Sequence, residues 1–328
     1  MPTAIATTVT TMTINIEISA PDIERWRNGN TGIEFLHTFN SGNAGPHVMI
    51  NAVTHGNEIC GAIAVDRLLR MGAAKIRPTR GKLSLAFANV EAFSRFNPAD
   101  PHATRFVDED FNRVWTAEAL DGKRDSAELR RARELRAIIN EIDLLLDIHS
   151  MHSAHAPVML CGPLDKGIAF AEQVGIPAHI VSDVGHANGR RMRDYGGFGD
   201  PASAKNALLV ECGQHWVKSA EAVAWQTVWR FLKVAGIMDP ALVGFHIDRE
   251  PPPAQQVIHV TDAVIARTAD FKFVEGLNGL SVISKKGDLI ATDDKDEVHA
   301  PYDNCVLIMP ALIDVKPGLT AVRLGRVI

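Results

Sequence analysis

No stretch of this 328-residue chain approaches the roughly 18 unbroken apolar residues that a membrane span requires, so no transmembrane helix is expected. Its four cysteines (Cys60, Cys161, Cys212 and Cys305) lie far apart and form no CxxC pair. That argues against a disulfide framework and for a reducing, cytoplasmic setting. Residues 1–19 have neither the basic start nor the continuous apolar core of a signal peptide. Rich in threonine and β-branched residues, they suggest an edge strand after a loose tail. Positive charge is not in excess either: the formal balance is −5, and the densest basic cluster, Arg124 to Arg136, alternates with acids as on a solvated helix. Such a chain carries no electrostatic footprint for nucleic acid. Internal repeats and low-complexity tracts are missing as well.

What remains is a composition of 46% apolar and 22% charged residues, enough for one large α/β domain with a small appendix. Short apolar runs alternate with helical periodicity between residues 30 and 240. HVMINAV (47–53), KLSLAFANV (82–90), IDLLLDI (142–148) and ALLV (207–210) read as strands. Residues 58–72, 126–141 and 220–236 read as helices, the first and last closing at Gly72 and Gly236. IDLLLDI is almost continuously apolar, as a strand covered by helices on both faces must be. After residue 240 the texture changes. DREPPP (248–253) reads as a linker, and beyond it short β-rich pieces separated by glycines and acidic turns predict a small all-β unit.

Three polar motifs sit where these strands run out: THGNE (54–58), DIHS (147–150) and VECG (210–213). In open α/β sheets ligands bind beyond the carboxyl ends of strands, so the three are expected to share one crevice. His55 and Glu58, three residues apart on a strand-to-helix turn, with His149 from a neighbouring strand, form the donor set of a catalytic zinc site that keeps one position open. Glu211 is then left to act as general base on an activated water and to pass the proton to the leaving amine. Glu58 read alone is an ordinary acid in a helix's first turn, favoured by the helix dipole.

In order along the chain, H-G-N-E (55–58), R-F-V-D-E-D-F-N-R (105–113), D-I-H-S (147–150) and V-E-C-G (210–213) resemble the succinylglutamate desuccinylase and aspartoacylase family. The resemblance implies a zinc carboxypeptidase-like α/β fold, a mixed sheet flanked by helices over residues 1–245, followed by a smaller C-terminal all-β, barrel-like domain over 246–328. It implies a zinc-dependent amidohydrolase with one Zn2+ per chain, acting on a small-molecule N-acyl amino acid. It implies that Asn112 and Arg113 grip the substrate's α-carboxylate, that Arg105 stabilises the oxyanion, and that Asp110 orients His55 from behind. Asp147 is a candidate for similar work.

One departure bears on the substrate. Family members acting on aspartyl substrates carry a further arginine about ten residues before the catalytic glutamate; here Ala202 and Ser203 stand there, with only Lys205 basic nearby and Arg190, Arg191 and Arg193 further upstream. This points away from a doubly acidic substrate, towards a neutral or basic amino-acid side. A metallocarboxypeptidase acting on short peptides and a non-catalytic metal-dependent binder are the alternatives. Several residues stay open. His152 either lines the pocket or lies at the surface, and His186 and His215 are either structural or on the substrate side. Tyr302, one of only two tyrosines, is a candidate for the pocket mouth. Arg113 could instead pair with Asp108 or Glu109. Cys60 and Cys212 read as small buried hydrophobes, Trp225 and Trp229 as core. The oligomeric state is open, a homo-oligomer included.

Overall fold

His47–Ala52 is buried at every position, which a strand tolerates only with both faces covered. The computed structural model, which describes residues 15–185, 189–313 and 315–328, shows how that is achieved. The strands, in chain order, are β1 Leu36–Asn40, β2 His47–Ala52, β3 Lys82–Phe87, β4 Leu144–Met151, β5 Val158–Leu160, β6 His179–Ser182, β7 Asn206–Gln214, β8 Gln256–Ile265, β9 Lys272–Phe273, β10 Val282–Ile283, β11 Leu289–Asp293, β12 Asp296–His299, β13 Cys305–Ile308 and β14 Thr320–Val327. Eleven of them form one mixed sheet in the order β1-β3-β2-β4-β7-β5-β6-β8-β14-β13-β10. Its centre, β3-β2-β4-β7, is parallel.

Alternation along these strands feeds two separate cores. Val48, Ile50, Leu146, Ile148, Leu208 and Val210 pack with the helices Ile59–Arg70 and Lys218–Ala235 on one face. Met49, Leu145 and Ala207 pack with the helix Ala127–Glu141 on the other, against Leu129, Leu135 and Ile139. Each helix starts and stops for local reasons. Ser126 accepts the Leu129 N–H at one N-terminus, and Gly236 (φ 63°) closes the last long helix in the left-handed conformation that glycine allows. Trp225 and Trp229 lie on that helix, nearly and fully buried.

The C-terminal strands do not stand apart from this sheet. β6 pairs in parallel with β8, so the sheet continues from the helix-covered part into β8, β14, β13 and β10, while β9, β11 and β12 form a second small sheet. The chain crosses between the two parts through residues 247–255, which contain DREPPP and no helix or strand. A short helix, Pro240–His246, precedes it, capped by Asp239 with proline at its first position; the sequence reading did not include it. Also unforeseen were β1, β5, β6 and the helix Asp165–Val174. The edge strand expected near the N-terminus falls largely on residues 1–14, outside the described residues, and 15–20 form no strand; β1 forms one edge of the sheet. Among the described residues no helix is long and apolar enough to cross a membrane.

The strand that leads to the site begins at His47, 5% exposed, with Nε2 2.8 Å from Ser84 Oγ. Burial, helped by Lys82, pushes its imidazole down to about 4. The folded protein therefore keeps His47 neutral where an unfolded chain would begin to protonate it. Its contribution to stability is fully present above about pH 6.5 and is lost as pH falls towards about 4. In urea titrations across that window, His47→Gln should flatten the acid loss of stability by up to about 3 kcal/mol. Identical slopes for the two proteins would contradict this.

Candidate active site

β2 ends at Ala52, and Val53 turns out of the strand at φ 64°, a conformation rare for a β-branched residue. Strain of this kind persists where the surroundings over-determine the backbone, and here it opens the turn Thr54–Glu58. Gly56 is required by close approach: a Cβ would meet Thr104 O and Ala92 C at 2.4 Å. Its N–H donates to Arg105 O at 3.0 Å, which ties this turn to the arginine-bearing loop. Neighbouring strands deliver the rest. His149 on β4 is in register with Glu211 on β7, and Asn51 on β2 with Asp147 on β4. All four continue the phase of Met49, Leu145 and Ala207, so they leave the sheet on one face.

The result is a row of alternating acids and imidazoles. Asp110 Oδ1 lies 2.9 Å from His55 Nε2, and His55 Nδ1 lies 2.8 Å from Glu58 Oε1. Glu58 Oε2 lies 2.9 Å from His149 Nδ1, and His149 Nε2 lies 2.8 Å from Asp147 Oδ2. Asp147 is itself held by Asn51 Nδ2 and Thr54 Oγ1, both at 2.8 Å. His55, Glu58 and His149 are 3%, 1% and 1% exposed. Burial opposes ionisation of Glu58, yet the two imidazoles hold its carboxyl well below the ordinary range. Burial likewise opposes a charge on His149, and Asp147 and Glu58 overcome it and raise it well above the ordinary value.

One ligand atom from each of His55, Glu58 and His149 lies within 4.8 Å of the others, so the three could hold a metal ion. The charge of the row supports that fit. With both imidazoles neutral, Asp110, Glu58 and Asp147 carry three negative charges; Arg105, 3.3 Å from Glu58 Oε1 and 3.3 Å from Asp110 Oδ2, offsets one. A divalent ion would offset the other two. Burying three carboxylates without such compensation is costly. The acid–imidazole pairs behind both donors are also the arrangement that orients metal-ligating histidines.

Glu211 completes this wall. It is 8% exposed, its Oε2 is buried without a partner, and no hydrogen bond or ion pair ties its side chain to the described residues. Burial pushes its carboxyl up to about 7, against the pull of His149, His55 and Arg105. Asn112 Oδ1 accepts the Met192 N–H at 2.9 Å, which orients the amide and leaves its NH2 as the donor for a ligand. Among the described residues Arg113 makes a side-chain bond only to Asn112 O, at 2.8 Å, and pairs with neither Asp108 nor Glu109, which instead serve the helix Ala127–Glu141 and Arg124. Burial, with Arg105, Arg191 and Arg323 nearby, pushes its guanidinium down to about 10.

Other residues weighed from sequence fall elsewhere. Lys205 Nζ donates to Asn140 O and Ile142 O, closing the end of a helix rather than reaching the site. His215 is buried, with Nδ1 2.9 Å from Ser150 Oγ, behind the donor cluster. His152 is exposed, with Nε2 3.1 Å from His102 Nε2. Tyr302 meets Thr261 Oγ1 at 2.6 Å and lies under Arg326, within the C-terminal strands. His186 lies outside the described residues. Cys60 and Cys212 are buried and unbridged. The sequence reading missed Arg323, on β14, which is 8% exposed with Nε 3.5 Å from Asp183 Oδ2. Only the pairing of β6 with β8 brings the last strand close enough to add its charge here.

Residues 44–225 match the model of the succinylglutamate desuccinylase/aspartoacylase catalytic domain. The chain belongs to that family. A protein named "Probable aspartoacylase" from Parasynechococcus marenigrum (strain WH8102) is 31% identical over 143 residues, 40% of this chain and 45% of that relative, so the alignment spans less than half the relative's length. Among solved structures, succinylglutamate desuccinylase from Vibrio cholerae superposes with a TM-score of 0.65 at 16% identity, covering 90% of this chain and 86% of the other. The ectoine utilization protein EutE (DoeB) from Ruegeria pomeroyi, in a product-bound structure, gives 0.60 at 18% identity and 89% of each chain. At such identities the likeness is one of fold, and it extends over the C-terminal strands as well as the family domain.

The charge balance of the family site predicts proton release on metal loading. At pH 7 the metal-free row should hold a proton on His149, and a divalent ion should displace about one proton per chain. Calorimetry of zinc binding in buffers of different ionisation enthalpy measures this. Asp147→Asn should weaken the metal by roughly 10–100-fold. Binding without proton release, or unaffected by that substitution, would remove the row from the metal site.

Proposed function

We propose that this protein is a zinc-dependent amidohydrolase that removes the acyl group from an N-acyl amino acid. Family membership and the likeness to proteins named aspartoacylase and succinylglutamate desuccinylase support the reaction class. The observation that carries the reading is a buried carboxylate with no hydrogen-bond partner among the described residues, Glu211, in register beside a His–Glu–His donor cluster. A mere binder has no use for it, and an unpaired buried carboxylate is costly to keep.

His55, Glu58 and His149 are the residues to hold the ion, and imidazole and carboxylate donors suit zinc. A divalent ion held there would supply an acidified water and Lewis-acid help to an amide carbonyl. The chain's own residues do the rest. Arg113 and the Asn112 NH2 bind the substrate's carboxylate, the guanidinium through two parallel hydrogen bonds. Arg105, held by Asp110 and Glu58, places a fixed positive charge where the oxyanion develops. Glu211, poised near neutrality, takes a proton from the attacking water and returns it to the leaving amine. A C-terminal β region set beside this site would favour a small substrate over a long peptide.

Counting charges bears on the substrate. Arg105, Arg191, Arg193 and Arg323 each face a carboxylate within 4.0 Å, whereas Arg113 has none among the described residues. Arg113, half-buried and without a carboxylate there, suits a substrate with one free carboxylate, and Lys205 is not available for a second. This supports a neutral or basic amino-acid side.

A panel of acetyl, formyl and succinyl groups on acidic, neutral and basic amino acids, with dipeptides alongside, tests the reading on protein of known metal content. One zinc per chain with release of a single amino acid from the acyl substrates is the expected outcome; cleavage of dipeptides alone would make the protein a carboxypeptidase. Glu211→Ala should keep its metal and lose about 10²–10⁴ in rate. Turnover near that of the unaltered protein would exclude Glu211 as the base. Arg113→Ala should raise KM for free carboxylates while sparing the corresponding amides, and equal effects on both would take Arg113 out of carboxylate recognition.

A further inference from the structure

The loop bearing Arg105, Asp110, Asn112 and Arg113 has little regular structure of its own: residues 106–110 belong to no helix or strand, and only a single 3-10 turn follows at Phe111–Arg113. Yet it must hold two guanidiniums and a carboxylate in fixed places. One side chain behind it meets the loop's backbone. Glu128, in the first turn of the helix Ala127–Glu141, is 0% exposed. Its Oε1 accepts from Val107 N at 2.7 Å and from Asn89 Nδ2 at 3.0 Å. Its Oε2 accepts from Asp108 N at 3.1 Å and Glu109 N at 3.2 Å.

Three consecutive backbone N–H groups thus converge on one buried carboxylate, midway between Arg105 and Asp110. The fourth donor, Asn89, follows β3 and donates its own backbone N–H to Val53 O at 2.8 Å, at the strained turn that leads into His55. The loop answers in kind. Asp108 Oδ2 accepts the helix's Ala127 N–H at 2.7 Å, and Ser126 Oγ donates to Glu109 Oε1 at 2.5 Å. All four partners of Glu128 are donors, so the position requires a group that only accepts. A glutamine of the same shape would turn an NH2 against N–H groups, and an aspartate would be one methylene short.

We propose that Glu128 is a positioning residue for the site: a buried carboxylate clamp that fixes the loop so that Arg105 and Arg113 meet the substrate. It touches neither the donor cluster nor the carboxylate-binding side chains and acts through the backbone of residues 107–109. The inference rests on the deacylase reading of the site, and its test keeps the two apart.

The experiment compares the unaltered protein with Glu128→Gln, Glu128→Asp and Asp108→Ala, each loaded with zinc and assayed on N-acetyl amino acids per metal-loaded site. Glu128→Gln should bind the same one metal per chain yet lose about 10² in kcat/KM, since a displacement near 1 Å of positioned groups costs about that much. The loss should divide between a raised KM, through Arg113, and a lowered kcat, through Arg105. Glu128→Asp should fall between Gln and Glu. A merely structural role would reduce the yield of folded protein and leave both constants per loaded site unchanged, and that result overturns the proposal. If Glu128→Gln does not fold, Asp108→Ala decides: a raised KM supports the clamp and unaltered constants refute it. Should the unaltered protein hydrolyse none of the substrates, the deacylase reading fails by itself. Calorimetric binding of the same N-acetyl amino acids then tests the clamp, supported by weakening of tenfold or more in Glu128→Gln and refuted by equal affinity.

Discussion

A carboxylate sealed between two imidazoles is the constraint from which the rest of this structure follows. Glu58 is 1% exposed and meets His55, His149, Arg105 and the Ser150 N–H. Each imidazole spends its second nitrogen on another acid, Asp110 or Asp147. Such a row is unstable by itself, because three acids concentrate negative charge where water cannot screen it. It becomes reasonable as one half of a site whose other half is a cation. Its rigidity has a purpose too. Donors locked from behind cannot rearrange when an ion arrives, so little ordering remains to be done on binding.

Holding that row in place is a problem of elements that are distant in sequence. The sheet supplies two members, His149 and Asp147, on a central parallel strand buried on both faces. The turn after β2 supplies two more, and it is kept short by a glycine that no larger residue could replace. The fifth, Asp110, comes from a loop with little regular structure, and so do Arg105, Asn112 and Arg113. A loop can perform precise work only if something rigid organises its backbone. Here that is the N-terminus of the helix Ala127–Glu141, whose Glu128, Ser126 and Ala127 all bond to residues 107–109. The loop that bears Arg105, Asn112 and Arg113 is thereby braced against the same helix that covers the sheet.

How much of this was legible in the amino-acid sequence depended on whether the signal was local. Buried parallel strands announce themselves as apolar runs, so HVMINAV, KLSLAFANV and IDLLLDI were placed within a few residues of their observed limits. His55, Glu58, His149 and Glu211 were legible because each stands at the end of such a run. β5 and β6 were not, being only three and four residues long with no alternation to mark them. Glu128 carries no local signal, because its four bonds form only once the loop has folded over it. Arg323 was hidden for a topological reason. The linker and the change of texture after residue 240 marked the C-terminal β region, but nothing local in the sequence showed that β8 joins β6 and carries the last strands into the same sheet.

The continuous sheet also bears on how the cleft distinguishes ligands. Arg323 on β14 and Arg191 share one buried carboxylate, Asp183, at the end of β6. Two guanidiniums around one acid keep the neighbourhood positive without offering either cation freely. Burial and that shared acid work in opposite directions on Arg323, and the net effect is a guanidinium lowered from its ordinary value. Arg113, close enough to feel both, is lowered as well and has no acid of its own. On the proposed reading, a broad positive field with the half-buried Arg113 unpaired among the described residues would attract anions in general but bind one carboxylate in particular. Selectivity for the remainder of the ligand must then come from shape and from groups that are already committed to partners. On the proposed reading, Arg191 and Arg323 would have to leave Asp183 to meet a second carboxylate, and the cost of leaving that buried acid unpaired would disfavour doubly acidic ligands.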